Sequence, residues 1–212
     1  MTGGLDVYWR WRMARLLRGK KIRTVGDFAT GSGDVAFSLA KYLPEDHEEL
    51  TIIGIDFCEP MLEKAREKLS LQQFPANIHL QFITGDCLNP PFVEGSLDAI
   101  TIAFGIRNFE NLDQGLAAMY EVLKPGGRLV ILEASVASPW FRPFYSLYVR
   151  YFMPLVAKWI VGDRQAYTYL GDSIAAFPKP RALVEKLKSI GFKEASFESL
   201  CFGVSTLYLA VK

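Results

Sequence analysis

The chain has 212 residues, 50% hydrophobic and 22% charged, which fits one folded domain with a substantial core and excludes a disordered polymer. Net charge is +1 with no long run of one sign, so there is no electrostatic case for nucleic acid, whose phosphates need concentrated Lys and Arg. Three scattered cysteines (Cys58, Cys87, Cys201) beside His47 and His79 suggest neither a zinc site nor a disulfide framework, and a reducing, cytoplasmic setting without a resident metal is expected.

Residues 1–21 are basic and aromatic and lack the apolar centre of a signal peptide. No later stretch approaches the roughly 20 apolar residues of a membrane span. Thr24 to Phe28 reads as a short buried strand that ends at a Gly-rich turn. Asp34 to Tyr42 has helical spacing, with Val35, Leu39 and Leu43 on one side. Thr51 to Ile55 is a β-branched run ending in Asp56, and Pro60 opens a helix carrying Met61, Leu62, Ala65 and Leu69. Ile78 to Ile83 and Leu97 to Ala103 are the next strands, and Asn111 or Asp113 caps a helix through Val122. Lys124-Pro125-Gly126-Gly127 reads as a turn before the strand Arg128 to Leu132.

Strands alternating with helices predict βαβ units and a mostly parallel sheet with helices on both faces. The tail differs: a helix from Arg181 to Ile190, a stop at Gly191, then two strands, Ala195 to Leu200 and Thr206 to Val211, close enough to pair antiparallel. The expected fold is a single α/β domain over residues 1–212, Rossmann-like, with seven strands and a C-terminal antiparallel hairpin. An aromatic insertion at about 138–178 interrupts it, where Pro143 and Pro154 exclude one unbroken helix.

The chemistry concentrates in Asp27-Phe28-Ala29-Thr30-Gly31-Ser32-Gly33-Asp34, a Gly-rich turn between strand and helix that lets a ligand approach the backbone. Taken alone, Gly31 to Ala36 also satisfies the dinucleotide pattern G-x-G-x-x-G/A, with Asp56 placed 25 positions after Gly31 for a ribose. Two features favour S-adenosylmethionine. Asp27 ends its strand where a carboxylate meets an ammonium, directly or through water, and where it would repel a pyrophosphate. Asp86, in Gly85-Asp86-Cys87 past the third strand, is placed to accept from an adenine amino group. Asp27, Asp56 and Asp86 would span the cofactor along the carboxyl ends of adjacent strands. Ala29, Thr30, Gly31, Gly33, Phe57, Cys87 and Ala103 complete the expected cofactor site. The plainer alternatives are helix capping by Asp34, a strand-end acid at Asp56 and a turn residue at Asp86.

Later segments resemble one family. Ala103-Phe104-Gly105-Ile106-Arg107-Asn108-Phe109 is similar to the F-G-[IL]-R-N block of the menaquinone/ubiquinone biosynthesis C-methyltransferases (UbiE-type). Glu121 to Ser135 resembles that family's second signature, with Glu121 where Arg is usual, and Tyr167 to Pro178 matches its Y-x-Y-L-x-x-S-I-x-x-F-P block. Ala29 replaces the first glycine of the general methyltransferase motif, as it does in that family. Gly4 to Arg10 resembles only the end of the family's opening region, so a shorter N-terminus is expected.

The resemblance implies methylation of a ring carbon of a prenylated quinol, with Arg107 favouring the phenolate and Asn108 bonding a ring oxygen or a water. The plainer alternative pairs Arg107 with a structural acid and lets Asn108 end the strand. Tyr167, Tyr169 and Ser173 are expected to line the quinol site, or else to pack on the core. The insertion, with Trp140, Phe141, Phe144, Tyr145, Tyr148, Tyr151, Phe152 and Trp159, suits a prenyl channel touching the membrane periphery. It suits a homodimer interface equally. Two other functions stay open: methylation of another small apolar acceptor, and a non-catalytic cofactor-binding protein of a quinone-biosynthetic assembly.

Overall fold

The chain enters through α1, Leu5–Leu17, whose Trp9, Met13, Ala14 and Leu17 are buried while Arg12 and Arg15 stack over Tyr8 and Trp11 on its outer side. Sequence reading assigns no element here, because basic residues interleave with the apolar ones and mask the helical period. The computed structural model describes residues 4–19, 21–43, 49–136, 138, 140, 173–174 and 176–212.

The remaining elements follow the expected alternation. They are β1 (Thr24–Phe28), α2 (Asp34–Tyr42), β2 (Leu50–Asp56), α3 (Glu59–Ser70), β3 (Ile78–Thr84), β4 (Leu97–Ala103), α4 (Leu112–Val122) and β5 (Leu123–Ala134). Then come α5 (Pro180–Ile190), β6 (Glu194–Leu200) and β7 (Ser205–Val211). Strand order is β3-β2-β1-β4-β5-β7-β6, with the first five parallel and β7 antiparallel to both β5 and β6. The Rossmann-like sheet with a terminal hairpin is therefore as expected.

One expected boundary moves. Lys124 to Gly127 is not a free turn ahead of β5 but an excursion within it: pairing with β4 steps from Leu97↔Leu123 to Ala99↔Arg128. Gly126, at φ 79°, supplies the left-handed residue that this bulge requires. Asn111 caps α4 as anticipated, accepting the Gln114 N–H at 3.1 Å.

Hydrophobic packing divides into one layer on each face of the sheet. Met13, Leu17, Val35, Leu39 and Leu62 of α1, α2 and α3 cover one side, over Ile52 and Val130. Leu116 and Met119 of α4, with Leu183 and Leu187 of α5, cover the other, over Ile100, Ile131 and Tyr208. With both faces covered, the edge where the parallel strands end is where open sheets of this kind ordinarily take a ligand.

Candidate active site

Two backbone kinks shape that edge. Ala29, just after β1, and Phe104, just after β4, adopt left-handed φ values of 51° and 55°. For residues carrying a Cβ this conformation costs about 1–3 kcal/mol and is characteristic of functional sites. The two turns lie against each other, since a Cβ on Gly105 would sit 2.5 Å from the Ala29 Cβ. Only glycine admits that approach. The Gly-rich loop is packed as closely from below: a Cβ on Gly33 would meet the Phe82 ring at 2.6 Å.

Asp27 is 1% exposed at the end of β1. Its oxygens accept the Thr30 hydroxyl at 2.5 Å and the Thr101 hydroxyl at 2.6 Å. Burial pushes its pKa up to about 6; the two hydroxyls and the Ala36 N–H act against burial, and the nearby Asp56 charge adds to it. Every donor to Asp27 among the described residues is neutral, so they leave the charge of the ionised form uncompensated.

Asp56 ends β2 and organises two loops, accepting Gly31 N–H at 2.8 Å and Cys58 N–H at 2.9 Å. Each carboxylate oxygen retains a second lone pair for a further donor. Asp86 is exposed and closes its own turn by accepting Leu88 N–H at 2.8 Å. Cys87 is buried among these groups, and its thiol rises to about 12, chiefly through burial, with the charges of Asp56, Asp86 and Asp27 adding. A thiol so raised is no nucleophile. Phe57, immediately after Asp56, leaves 82% of its surface exposed. Ala103 closes β4 and is half-buried.

Asp34 is the first residue of α2 and not its cap; Gly33 holds that position. The Asp34 carboxylate instead takes Lys68 Nζ at 2.8 Å, and the same ammonium donates to Ser32 Oγ at 2.9 Å and the Ser32 carbonyl at 3.1 Å. Lys68 thus braces the loop from α3.

Across the edge, Arg107 and Asn108 lie in a single 3-10 turn, Ile106–Asn108, after β4. Arg107 Nη1 donates to Glu133 Oε1 at 2.5 Å and to the Phe104 carbonyl at 2.6 Å. Glu133 is 1% exposed; burial raises its pKa, opposed by the Arg107 charge. The acid partner for Arg107, open as an alternative at the level of sequence, is therefore present. Arg107 Nε, however, is buried with no hydrogen-bond partner among the described residues. Asn108 is exposed, and Ser173 is half-buried with its carbonyl accepting Phe177 N–H at 3.1 Å. Tyr167 and Tyr169 lie outside the described residues, as does most of the segment 138–178.

Sequence reading passed over Thr101 and Glu133. Each is a polar residue inside or directly after an apolar run of a central strand, Ala99-Ile100-Thr101-Ile102 and Leu129-Val130-Ile131-Leu132-Glu133. That placement is the available signal, since a polar group so enclosed needs a partner.

The whole chain, residues 1–212, matches the model of the ubiE/COQ5 methyltransferase family. It belongs to that family. Demethylmenaquinone methyltransferase of Porphyromonas gingivalis is 37% identical over 211 residues, covering 99% of this chain and 84% of the relative. A protein of the same name from Deinococcus radiodurans is 38% identical over 210 residues, covering 99% and 83%. The ubiquinone/menaquinone biosynthesis C-methyltransferase UbiE of Geotalea daltonii is 37% identical over 214 residues, covering 100% and 88%.

Among solved structures, an S-adenosylmethionine-dependent methyltransferase from Aquifex aeolicus superposes with a TM-score of 0.67 at 16% identity, covering 95% of this chain and 88% of that one. Phosphoethanolamine N-methyltransferase 2 of Haemonchus contortus, in complex with S-adenosylmethionine, gives 0.69 at 15% identity, covering 97% and 52%. At such identity these establish the shared fold. This ubiE/COQ5 family chain is a methyltransferase, and its methyl donor is S-adenosylmethionine. The residues present fit that donor: uncompensated acid at the ends of β1 and β2, a glycine cradle closed by Phe82, and an exposed ring beside Asp56.

Proposed function

We propose that this chain methylates a ring carbon of a prenylated quinol, of the demethylmenaquinol or 2-polyprenyl-methoxy-benzoquinol class. The observation that carries the reading is Arg107: a cation with an unspent Nε–H, on a turn packed against the donor loop. Asp27 would face the amino group of the donor, Asp56 its ribose, and Asp86 and Phe57 its adenine, by accepting a hydrogen bond and by covering the flat base. Ala29, Thr30, Gly31, Gly33, Cys87 and Ala103 would form the walls. S-adenosylmethionine supplies an electrophilic methyl group on a sulfonium.

The chain's own task is then to make the acceptor carbon nucleophilic and hold it in line. Arg107 would lower the cost of ionising the neighbouring phenol, and Asn108 would hydrogen-bond a ring oxygen or a water. Ser173, Tyr167 and Tyr169 would line the acceptor. No described side chain is assigned as general base, so proton loss to solvent through Asn108-bound water is the simplest route.

We place the protein in the cytoplasm, touching the membrane peripherally to reach its substrate. Among the described residues no helix is long and apolar enough to cross a bilayer. The aromatic composition of residues 138–178 supports peripheral contact, and supports a homodimer equally; sedimentation velocity with and without vesicles separates them. The function itself is tested by incubating the protein with S-adenosylmethionine and a short-chain demethylmenaquinol. Ring-methylated product is expected; donor binding without transfer to any prenylated quinol would remove the substrate assignment.

A further inference from the structure

Glu133 makes contacts that a simple charge partner would not need. Its Oε1 accepts Arg107 Nη1 at 2.5 Å and the Ala134 N–H at 2.8 Å, while Oε2 lies 3.3 Å from the backbone N–H of Arg107. One carboxylate therefore fixes both where the 3-10 turn begins and where its guanidinium ends. β-sheet register explains how: Ala103, the last residue of β4, pairs with Leu132, so Glu133 stands one step beyond the strand's end, beneath the turn. β7 holds it from the other side through the Glu133↔Thr206 pair.

The guanidinium itself is used unevenly. Nη1 serves two acceptors, Glu133 and the Phe104 carbonyl, while Nε has none among the described residues although it is shielded from solvent. A buried ion pair kept only for stability is a poor device, since apolar side chains of the same volume serve as well or better. One that also leaves an N–H unpaired is poorer still. Gripping one edge of a planar cation and leaving the other unspent is instead the arrangement of a group held ready for an incoming oxygen.

We propose that Glu133 is the positioning residue for Arg107, aiming its unspent donor edge and supplying the counter-charge that keeps the cation in place. This rests on Arg107 acting on the quinol oxygen, as set out above. Asp27 and Asp56 play no part in it, so donor affinity and acceptor handling separate.

The test is E133Q, which keeps the shape and removes the charge. Three quantities are read: affinity for S-adenosylhomocysteine by calorimetry, affinity for a short-chain quinol analogue by tryptophan fluorescence without turnover, and kcat. We expect kcat to fall about 10- to 100-fold and analogue affinity several-fold, with S-adenosylhomocysteine affinity changed less than about twofold. In an R107M background E133Q should add nothing further, because the residues act as a unit. E133D should recover part of the loss.

Unchanged kcat in E133Q, or equal losses in both backgrounds, would overturn the proposal. If E133Q loses donor and analogue binding together with its folded baseline, E133D in the otherwise native chain decides: an unchanged kcat and analogue affinity there also overturns it. R107M distinguishes the two levels. Full activity in R107M removes the reading of Arg107 itself, whereas an inactive R107M with a silent E133Q removes only the role of Glu133.

Discussion

At the ends of β1 and β2 the buried acids Asp27 and Asp56 are held by hydroxyls and backbone N–H groups, whereas at the end of β5 the buried acid Glu133 is held by an arginine. Neutral donors keep an anion in place without cancelling its charge, which leaves the β1–β2 side attractive to a cation. The Glu133–Arg107 pair brings no net charge, but the guanidinium remains a cationic donor whose Nε–H has no partner among the described residues, which suits an oxygen acceptor. A sulfonium donor carrying an ammonium and a phenolic acceptor are the ligands these two sides would sort between them.

The sharpest way to break this contrast is D27N. It preserves the contacts of Thr30 and Thr101 in outline but removes the charge, and S-adenosylhomocysteine affinity should fall about 100-fold, the worth of a charge-assisted contact. R107M should do the converse, lowering kcat by a comparable factor while calorimetry finds donor affinity unchanged. Losses that spread equally to both readouts in both variants would dissolve the distinction between the sides.

Acidity gives a finer probe. Asp27 has a folded-state pKa raised to about 6 from an ordinary 3.8, so the folded cofactor-free protein takes up its proton more readily than the unfolded chain. Its effect on stability is therefore most favourable below 3.8 and is lost as pH rises through about 6. Cofactor-free protein should gain on the order of 1 kcal/mol from this group between pH 7.5 and pH 5, read by urea denaturation, and D27N should not. If Asp27 meets the donor's ammonium as proposed, donor binding would need the ionised carboxylate and move oppositely: affinity for S-adenosylhomocysteine should drop about tenfold between pH 7 and pH 5.

The smallest effect belongs to Lys68. Its ammonium braces Ser32 and Asp34 from a solvent-facing position, where ion pairs are worth at most about 1 kcal/mol. K68M should weaken donor binding about two- to fivefold and leave kcat alone. K124M, which breaks the pair with Asp98 at the opposite end of the sheet, is the matched control and should change neither.

The elements that carry the proposed donor side were largely legible from the chain because their constraints are local. A strand, an acid, two glycines and a helix follow one another within residues 24–42, and the boundaries expected for β1, α2 and β4 coincide with those observed. The contacts of the proposed acceptor side were not. Arg107 and Asn108 were found only through resemblance, and Glu133 lies 26 residues from Arg107, joined to it by a parallel strand pairing that no local pattern announces. Thr101 escaped for the same reason, 74 residues from the acid it serves. α1 escaped because Arg10, Arg12 and Arg15 obscure the spacing of Trp9, Met13 and Leu17. Its burial matters at the site, since the Trp9 ring packs 5.8 Å from that of Phe104, whose left-handed turn leads to Arg107.

The most direct test of the central claim is a methyl-transfer assay with labelled S-adenosylmethionine and a short-chain demethylmenaquinol, run on the native protein beside R107M. The account predicts label on the quinol ring with native protein, a rate about 100-fold lower with R107M, and equal S-adenosylhomocysteine affinity for both. Donor binding by the native protein with no label on any prenylated quinol, or equal rates for the two proteins, would contradict it.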